Sequence, residues 1–238
     1  MKYNIINFNV ISSTNKYLKE NYSHYPEYTV VKADKQTEGK GRMSRRWESE
    51  EGKNLTFSIL LKQQIDSEKM PLLSLVVGAS LYETIGKYIK CEIKWPNDII
   101  VNNKKIAGIL VESIFSSKLE AVVLGIGINV NQEIFSNDLL IKATSLSNEL
   151  KQKIDCEKLL NEFINEFDIM YNDFIIGNNR FINICKENNY LKQKEVFYNN
   201  KQIKVLDISD NGNLIIKDEE GIKELYFGEV TFTNTYNN

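Results

Sequence analysis

Histidine is almost missing from this chain: His24, between Ser23 and Tyr25 in a polar stretch, is the only one in 238 residues. A solvated loop position is the plain reading of it, which disfavours Ser-His-Asp catalysis and histidine-based zinc sites. Cysteine is scarce too. Cys91, Cys156 and Cys185 are odd in number and far apart, so they form neither a disulfide framework nor a paired metal motif. A reducing cytoplasm is the expected setting. No apolar run approaches the roughly 18 residues that cross a bilayer. The opening MKYNIINFNVISS is interrupted by asparagine and has no small-residue cleavage pattern, so no secretion signal is read there. Charge of one sign is not in excess either: 30 basic residues face 32 acidic ones, whereas proteins that live on nucleic acid usually carry a basic surplus. Arginine is the last scarcity, with four residues against 26 lysines. Three of the four, Arg42, Arg45 and Arg46, fall within five positions of the stretch TEGKGRMSRRWES.

The length suits one large domain, or one large and one small. NKYLKENY reads as a short helix that Ser12, Ser13 or Thr14 can cap, and YTVVKADKQ and NLTFSILL as strands. Between those strands the arginine stretch shows neither strand alternation nor a helical stripe, and with Gly39, Gly41 and Gly52 it reads as a mobile loop. MPLLSLVVGASLYETIGKYI has helical length and opens at Pro71. CEIKWPNDIIVNNKKIAGILVES predicts two strands joined by a type I′ turn at Asn102-Asn103, and LEAVVLGIGINVN another buried strand. Leu159, Leu160, Phe163, Phe167, Met170 and Phe174 recur at three-and-four spacing and predict a long helix, with a shorter one in NRFINICKENNYL. From about Leu191 short strands alternate with the turn signals YNNK, DNGN and DEEG, which predicts a small β-barrel of about five strands. The division expected is therefore residues 1–190 and 191–238.

Four stretches can carry chemistry, and each has a plainer structural reading beside it. The arginine loop offers planar forks for phosphate or carboxylate and, in Trp47, a stacking face, or else it is a solvated basic loop anchored by a buried tryptophan. In KWPNDIIVNNKKIAGILVE the turn predicts that Lys105 folds back towards Asp98. That carboxylate suits Mg²⁺ or an ammonium partner, or the two form only a surface ion pair. In GIGINVN, Gly125 and Gly127 imply a close approach to the backbone, by a ligand or by a neighbouring helix, and Asn129 adds an amide. SSTN, residues 12–15, is explained as a helix cap and equally as a reader of a neutral polar group such as a urea or amide.

Taken in order, SSTN, Q…GKGRMSRRW, KWPNDIIVNNKKIAGILVE and GIGINVN resemble the catalytic domain of biotin protein ligases, and the segment ending YFGEVTF resembles that family's small SH3-like domain. The resemblance implies an α+β fold: a mixed sheet with helices, like that of class II aminoacyl-tRNA synthetases, followed by a small β-barrel. It implies ATP as co-substrate with Mg²⁺, biotin as substrate, and formation of biotinyl-5′-AMP. The biotinyl group then passes to a lysine of a biotin carboxyl carrier domain of a carboxylase. Ser13, Thr14, Asn15 and Gln36 would read the ureido ring, Gly39, Lys40, Gly41 and Arg42 would close over the ligand, and Gly108 would line the biotin site. Arg42 and Lys105 would neutralise the reacting carboxylate and phosphate, with Arg45 assisting. Trp47, Asn97, Asp98 and Asn129 would serve the nucleotide, and Asp98 would hold the metal and assist the incoming amine. A carboxylate nucleophile needs no general base, which fits a chain almost without histidine.

The loop departs from the family's GRGRRGR pattern: Lys40 keeps a charge, but Met43 and Ser44 stand where the pattern has a basic residue and a glycine. Because the motifs begin near residue 1, a ligase without DNA-binding function is expected, with pairing of strand edges into a homodimer as the family's habit. The rivals are a lipoate or octanoate ligase of the same superfamily, a non-catalytic co-regulator that binds biotinyl-AMP, and an inactive homologue. Asp98, Lys105 and Arg42 are all in place, which counts against the last.

Overall fold

A computed structural model describes residues 1–63, 65–136, 139–199 and 201–227. Its centre is a seven-stranded sheet in the order β1 (Asn4–Ile11), β2 (Thr29–Gln36), β3 (Leu55–Leu61), β7 (Leu119–Ile128), β6 (Lys104–Phe115), β5 (Asp98–Val101), β4 (Glu92–Lys94). The pair β1–β2 is parallel and every other pair is antiparallel. The strand β3, LTFSILL, is buried along its whole length. A strand buried at every position is covered on both faces, and helices cover both faces here.

On one face lies α1 (Thr14–Asn21), whose Leu18 packs with Val31, Leu60, Ala121 and Val123. On the other lies α2 (Leu72–Gly86), apolar nearly all round because it is sandwiched between the sheet and two further helices. Those are α4 (Cys156–Ile175) and α5 (Arg180–Glu187). The helix α4 starts where Asp155 accepts hydrogen bonds from the amides of Glu157 and Lys158. Its apolar spacing becomes a ladder of rings, Phe163–Phe167–Tyr171–Phe174, with centroids 5.9, 5.3 and 6.1 Å apart.

Three features were not expected. The strand β1 is interrupted by Asn4, Asn7 and Asn9 and sits at the sheet's edge, so it lacks an apolar signature. The helix α3 (Leu146–Leu150) is too short to show a period. The region around KWPND forms three strands rather than two, since the turn at Trp95–Asn97, with a cis bond before Pro96, separates β4 from β5. The turn between β5 and β6 is as expected: Asn102 and Asn103 both have positive φ, 48° and 62°.

The C-terminal strands β8 (Glu195–Tyr198), β9 (Lys201–Ile208), β10 (Leu214–Asp218) and β11 (Gly221–Leu225) form a separate antiparallel sheet, with the three turn signals between them. Four strands lie among the described residues where about five were expected, and residues 228–238, including most of YFGEVTF, lie outside them. This sheet docks on the KWPND turn. The Trp95 indole donates to the Gly212 carbonyl at 2.9 Å, and its ring lies 5.2 Å from that of Phe227. Leu191, Val196, Val205 and Leu214 belong to the same continuous core as α2 and α4.

The ring ladder yields a stability prediction. Phe167, fully buried between two rings, should cost about 3–5 kcal/mol when cut to alanine. Urea unfolding checks this, and a loss below about 1 kcal/mol would contradict the packing.

Candidate active site

The floor of the site is backbone. Pairing places Asp98 on β5 opposite Gly108 on β6, and Gly108 opposite Gly127 on β7. The Trp47 indole lies directly on it: a Cβ on Gly127 would fall 2.4 Å from the ring, and one on Gly108 3.1 Å from it. Gly125 serves a different neighbour, since a Cβ there would meet Asn15 Oδ1 at 2.2 Å. The close approach inferred from the glycines is thus made by Trp47 at Gly127 and by the first turn of α1 at Gly125.

The fold-back of Lys105 occurs as the hairpin predicts, its Nζ 2.6 Å from Asp98 Oδ1. The Lys105 backbone is held as well, donating to the Lys142 carbonyl at 2.8 Å and accepting from the Thr144 amide at 3.0 Å. The same ammonium lies 5.5 Å from the Trp47 ring.

The arginine stretch is closed by its own hydrogen bonds. The Gly41 amide donates to the Arg45 carbonyl at 2.7 Å and the Trp47 amide to the Gly39 carbonyl at 2.9 Å. At the tip, Met43 adopts a left-handed φ of 55°, a conformation that costs a non-glycine residue about 1–2 kcal/mol. Of the three arginines only Arg42 folds inwards. Its Nη1 donates to Asn97 Oδ1 at 3.1 Å and its Nη2 to the Phe227 carbonyl at 3.0 Å. Burial pulls its pKa down, Asp98 opposes that shift and Arg45 adds to it; a guanidinium stays protonated regardless. Lys40, Arg45 and Arg46 are exposed around the opening.

Ser13 caps α1, its hydroxyl accepting from the Lys16 amide, so the capping reading of SSTN holds for this residue. Thr14 and Asn15, both buried, turn towards the sheet. Gln36 Oε1 accepts from the Thr14 amide at 2.8 Å and lies 3.1 Å from Thr14 Oγ1. Asn97 lines both cavities and already holds two partners: its Nδ2 donates to the Ile109 carbonyl at 3.0 Å while its Oδ1 accepts from Arg42. Asn129 spends its Nδ2 on the Thr144 carbonyl at 3.1 Å, which leaves its Oδ1 as the end open to a ligand.

Two cavities adjoin here. The inner one, about 50 Å³, is lined by Ser13, Thr14, Asn15, Gln36, Gly125 and Gly127 among others. The outer one, about 250 Å³, is lined by Asp98, Asn129, Lys94, Arg45 and Phe135 among others. Both are smaller than the roughly 300 Å³ of an ordinary small-ligand site; Trp47 lines both. Gly41, Arg42, Trp47, Asn97 and Lys105 form their common wall. Trp47 Nε1 and Thr56 Oγ1 are buried without a hydrogen-bond partner among the described residues, and such atoms at a cavity wall point to a ligand. Lys94 lines the outer cavity, and burial, partly offset by Asp98, pulls its ammonium down to about 8.

Sequence reasoning missed Thr56, Ser58, Lys94, Phe227, Phe135, Leu139, Lys142 and Ala143. Lys94 stands within the KWPND stretch, opposite Asp98, while tertiary packing brings the others here. Among the described residues no three His, Cys, Asp or Glu side chains gather as a metal cage. Asp98 and Glu48 are the carboxylates lining the outer cavity, and Asp98 is the one at its inner wall beside Lys105. It fits a metal such as Mg²⁺, which takes one or two protein carboxylates and completes its shell with phosphates and water.

Residues 7–129 match the model of the biotin/lipoate A/B protein ligase family, and residues 196–232 that of the biotin protein ligase C terminal domain. The chain belongs to this ligase family. It is 36% identical, over 97% of its length and 74% of the relative's, to the bifunctional ligase/repressor BirA of Bacillus subtilis. It is 37% identical over 42% of its length, and 43% of the relative's, to the biotin–[acetyl-CoA-carboxylase] ligase of Paracoccus denitrificans. Among solved structures it is similar to the biotin protein ligase of Aquifex aeolicus in complex with biotin and ATP. That match has TM-score 0.87 and 30% identity, over 97% of this chain and 98% of that one. The ligase-family span contains every candidate residue from Ser13 to Asn129.

Because Trp47 rests on Gly127, Gly127→Ala should push the indole off the floor and lower turnover at least tenfold. Melting should change little, since the strand pairs on both sides. Steady-state kinetics beside a thermal melt checks this; unchanged turnover would show that the indole position is immaterial.

Proposed function

We propose that the chain activates biotin with ATP to biotinyl-5′-AMP and transfers the biotinyl group to a lysine of a carrier domain. The observation that carries this reading is the wall shared by the two cavities. An inner pocket of neutral hydrogen-bonding groups meets an outer pocket with a carboxylate and an amide, and Arg42 and Lys105 line the junction. A carboxylate from the inner pocket and an α-phosphate in the outer one would otherwise repel each other. Two fixed cations at their meeting point lower the barrier through charge already in place.

In this reading Arg42, held by Asn97, meets the carboxylate and phosphate oxygens, and Lys105 spans the reacting pair. Asn129 Oδ1 accepts from the base. Mg²⁺, held by Asp98, would neutralise the departing pyrophosphate. Asp98, released from Lys105 as the anions arrive, is placed to take the proton of the incoming amine. Arg45, Arg46 and Lys40 extend the positive rim. The polar inner cavity also favours a urea ring over the dithiolane of lipoate, which has no hydrogen-bonding groups for Asn15, Thr14 and Gln36 to read.

The same reading includes a division at about residue 190, into a ligase domain over 1–190 and a small β domain over 191–238; the two sheets support it. It includes a carboxylase carrier domain as partner, pairing of two copies through the edge strand β1, and a cytoplasmic setting without nucleic-acid partners. The near-balanced charge and three free cysteines support the last. No helix among the described residues is long and apolar enough to cross a membrane.

Mass spectrometry of a carrier domain incubated with the protein, biotin, ATP and Mg²⁺ tests this. One biotinyl group on the carrier lysine is expected, and Arg42→Ala and Lys105→Ala should each abolish adenylate formation while the fold persists. Addition of lipoyl or octanoyl groups instead would move the chain to the sister activity. Near-normal rates in either variant would overturn the roles given to these cations.

A further inference from the structure

Beside the inner cavity runs a hydrogen-bonded chain in which Glu112, Lys19 and Ser58 have no role in the reading above. Glu112, on β6, accepts from Lys19 at Oε1, 2.6 Å, and from Asn15 Nδ2 at Oε2, 2.9 Å. The same Nδ2 is 3.4 Å from the Leu110 carbonyl. On the far side of Asn15, its Oδ1 lies 2.5 Å from the hydroxyl of fully buried Ser58, and that hydroxyl lies 2.7 Å from Thr14 Oγ1. Thr14 in turn meets Gln36 Oε1.

We propose that Glu112, steadied by Lys19, is a positioning residue for the substrate's urea ring: by fixing which end of the Asn15 amide faces Ser58, it sets the direction of the hydroxyl protons along this chain. The inference rests on the biotin reading of the inner cavity. A carboxylate and a carbonyl only accept, so they require Nδ2 on their side and leave Oδ1 towards Ser58. Oδ1 carries no proton, so Ser58 donates to it. Ser58 has a single proton, so its contact with Thr14 is filled by the Thr14 proton, and the 3.1 Å approach of Thr14 Oγ1 to Gln36 Oε1 then carries none. Thr14 then shows the cavity lone pairs, and Asn15 keeps one lone pair spare on Oδ1. Gln36 Oε1 is held by the Thr14 amide, which leaves Nε2 as its free end. The result is two acceptors and one donor, the complement of the two N–H groups and one carbonyl of a cyclic urea.

The opposite direction is internally consistent. With the Asn15 amide turned over, Nδ2 donates to Ser58, Ser58 to Thr14 and Thr14 to Gln36 Oε1, and every contact in the chain has its proton. What opposes it is the Glu112 carboxylate, aided by the Leu110 carbonyl, facing Oδ1. A neutral amide at position 112 removes that opposition and lets the acceptor pattern decay.

The test uses the full chain in biotin-dependent ATP–pyrophosphate exchange. For Glu112→Gln the KM for biotin should rise about tenfold, the effect of roughly one lost hydrogen bond. The KM for ATP and the rate at saturating biotin should stay within about twofold, and the melting temperature within about 3 °C. Adding Asn15→Asp should bring the biotin KM back to within about threefold of wild type. An aspartate there can only accept, from the new side-chain amide at position 112 on one side and from Ser58 on the other, so the direction is fixed again. Asn15→Asp alone sets two carboxylates together and should bind biotin poorly. An unchanged biotin KM in Glu112→Gln would overturn the proposal. So would parallel losses of rate and melting temperature at constant KM, or a KM rise that the double variant leaves uncorrected. Wild type assayed alongside keeps the failures apart: no biotin-dependent exchange in it would remove the ligase reading and this inference with it.

Discussion

Bare backbone at three glycines is the constraint on which this site depends. Trp47 needs Gly127 beneath it, the Lys105 side chain packs closest over Gly108, and Asn15 needs Gly125. Each glycine weakens a strand by about 0.5–1 kcal/mol relative to alanine. The strand β7 accommodates two of them because it is paired on both sides, to β3 and β6. Through Trp47 the whole arginine loop takes its height above the sheet, since the Trp47 amide closes the loop on Gly39. The reach of Arg42 to Asn97 follows from that height.

The cations at the junction are placed before any ligand arrives. Lys105 is held at its side chain by Asp98 and at its backbone by residues 142–144, and Arg42 by Asn97 and by the Phe227 carbonyl. These partners are weak enough to be exchanged for ligand oxygens, yet they fix direction, which is what a site built on charge requires. The Phe227 contact brings the C-terminal sheet into this arrangement. So does Trp95, which joins the KWPND turn to Gly212. The second sheet is therefore part of how Arg42 is aimed.

Much of this was legible in the residues. The three-and-four spacing of Leu159 to Phe174 gave α4 because packing follows a helical period directly. Asn102-Asn103 gave the turn, and the turn set Ile100 opposite Lys105, which brings the Lys105 side chain back to Asp98; the bulge beyond Ile100 that sets Asp98 opposite Gly108 was not legible. What could not be read has a common physical cause, namely meaning conferred by tertiary neighbours. Ser58 sits in an apolar strand and Glu112 near the end of another; their roles exist only once α1 lies across the sheet. Asn97 and Asn129 were legible as amides near the site, but not which of their ends are already occupied. The strand β1 gave no signal because an edge position asks little of its side chains.

The clustering of arginine in a lysine-rich chain now divides into two cases. At position 42 the fork meets an amide oxygen on the KWPND turn and a backbone carbonyl of the C-terminal region at once, through separate nitrogens. A lysine ammonium on its single flexible stem has no planar fork to span the two with the same fixed aim. Positions 45 and 46 are exposed at the mouth of the outer cavity. There the planar fork has no partner among the described residues and serves by charge and reach towards what enters. Position 40, exposed on the same loop, holds a lysine where the family pattern has arginine, which is consistent with a place where charge suffices. The geometry therefore ranks the arginines of the loop by how far each guanidinium is organised, and Arg42, with both terminal nitrogens engaged, stands first.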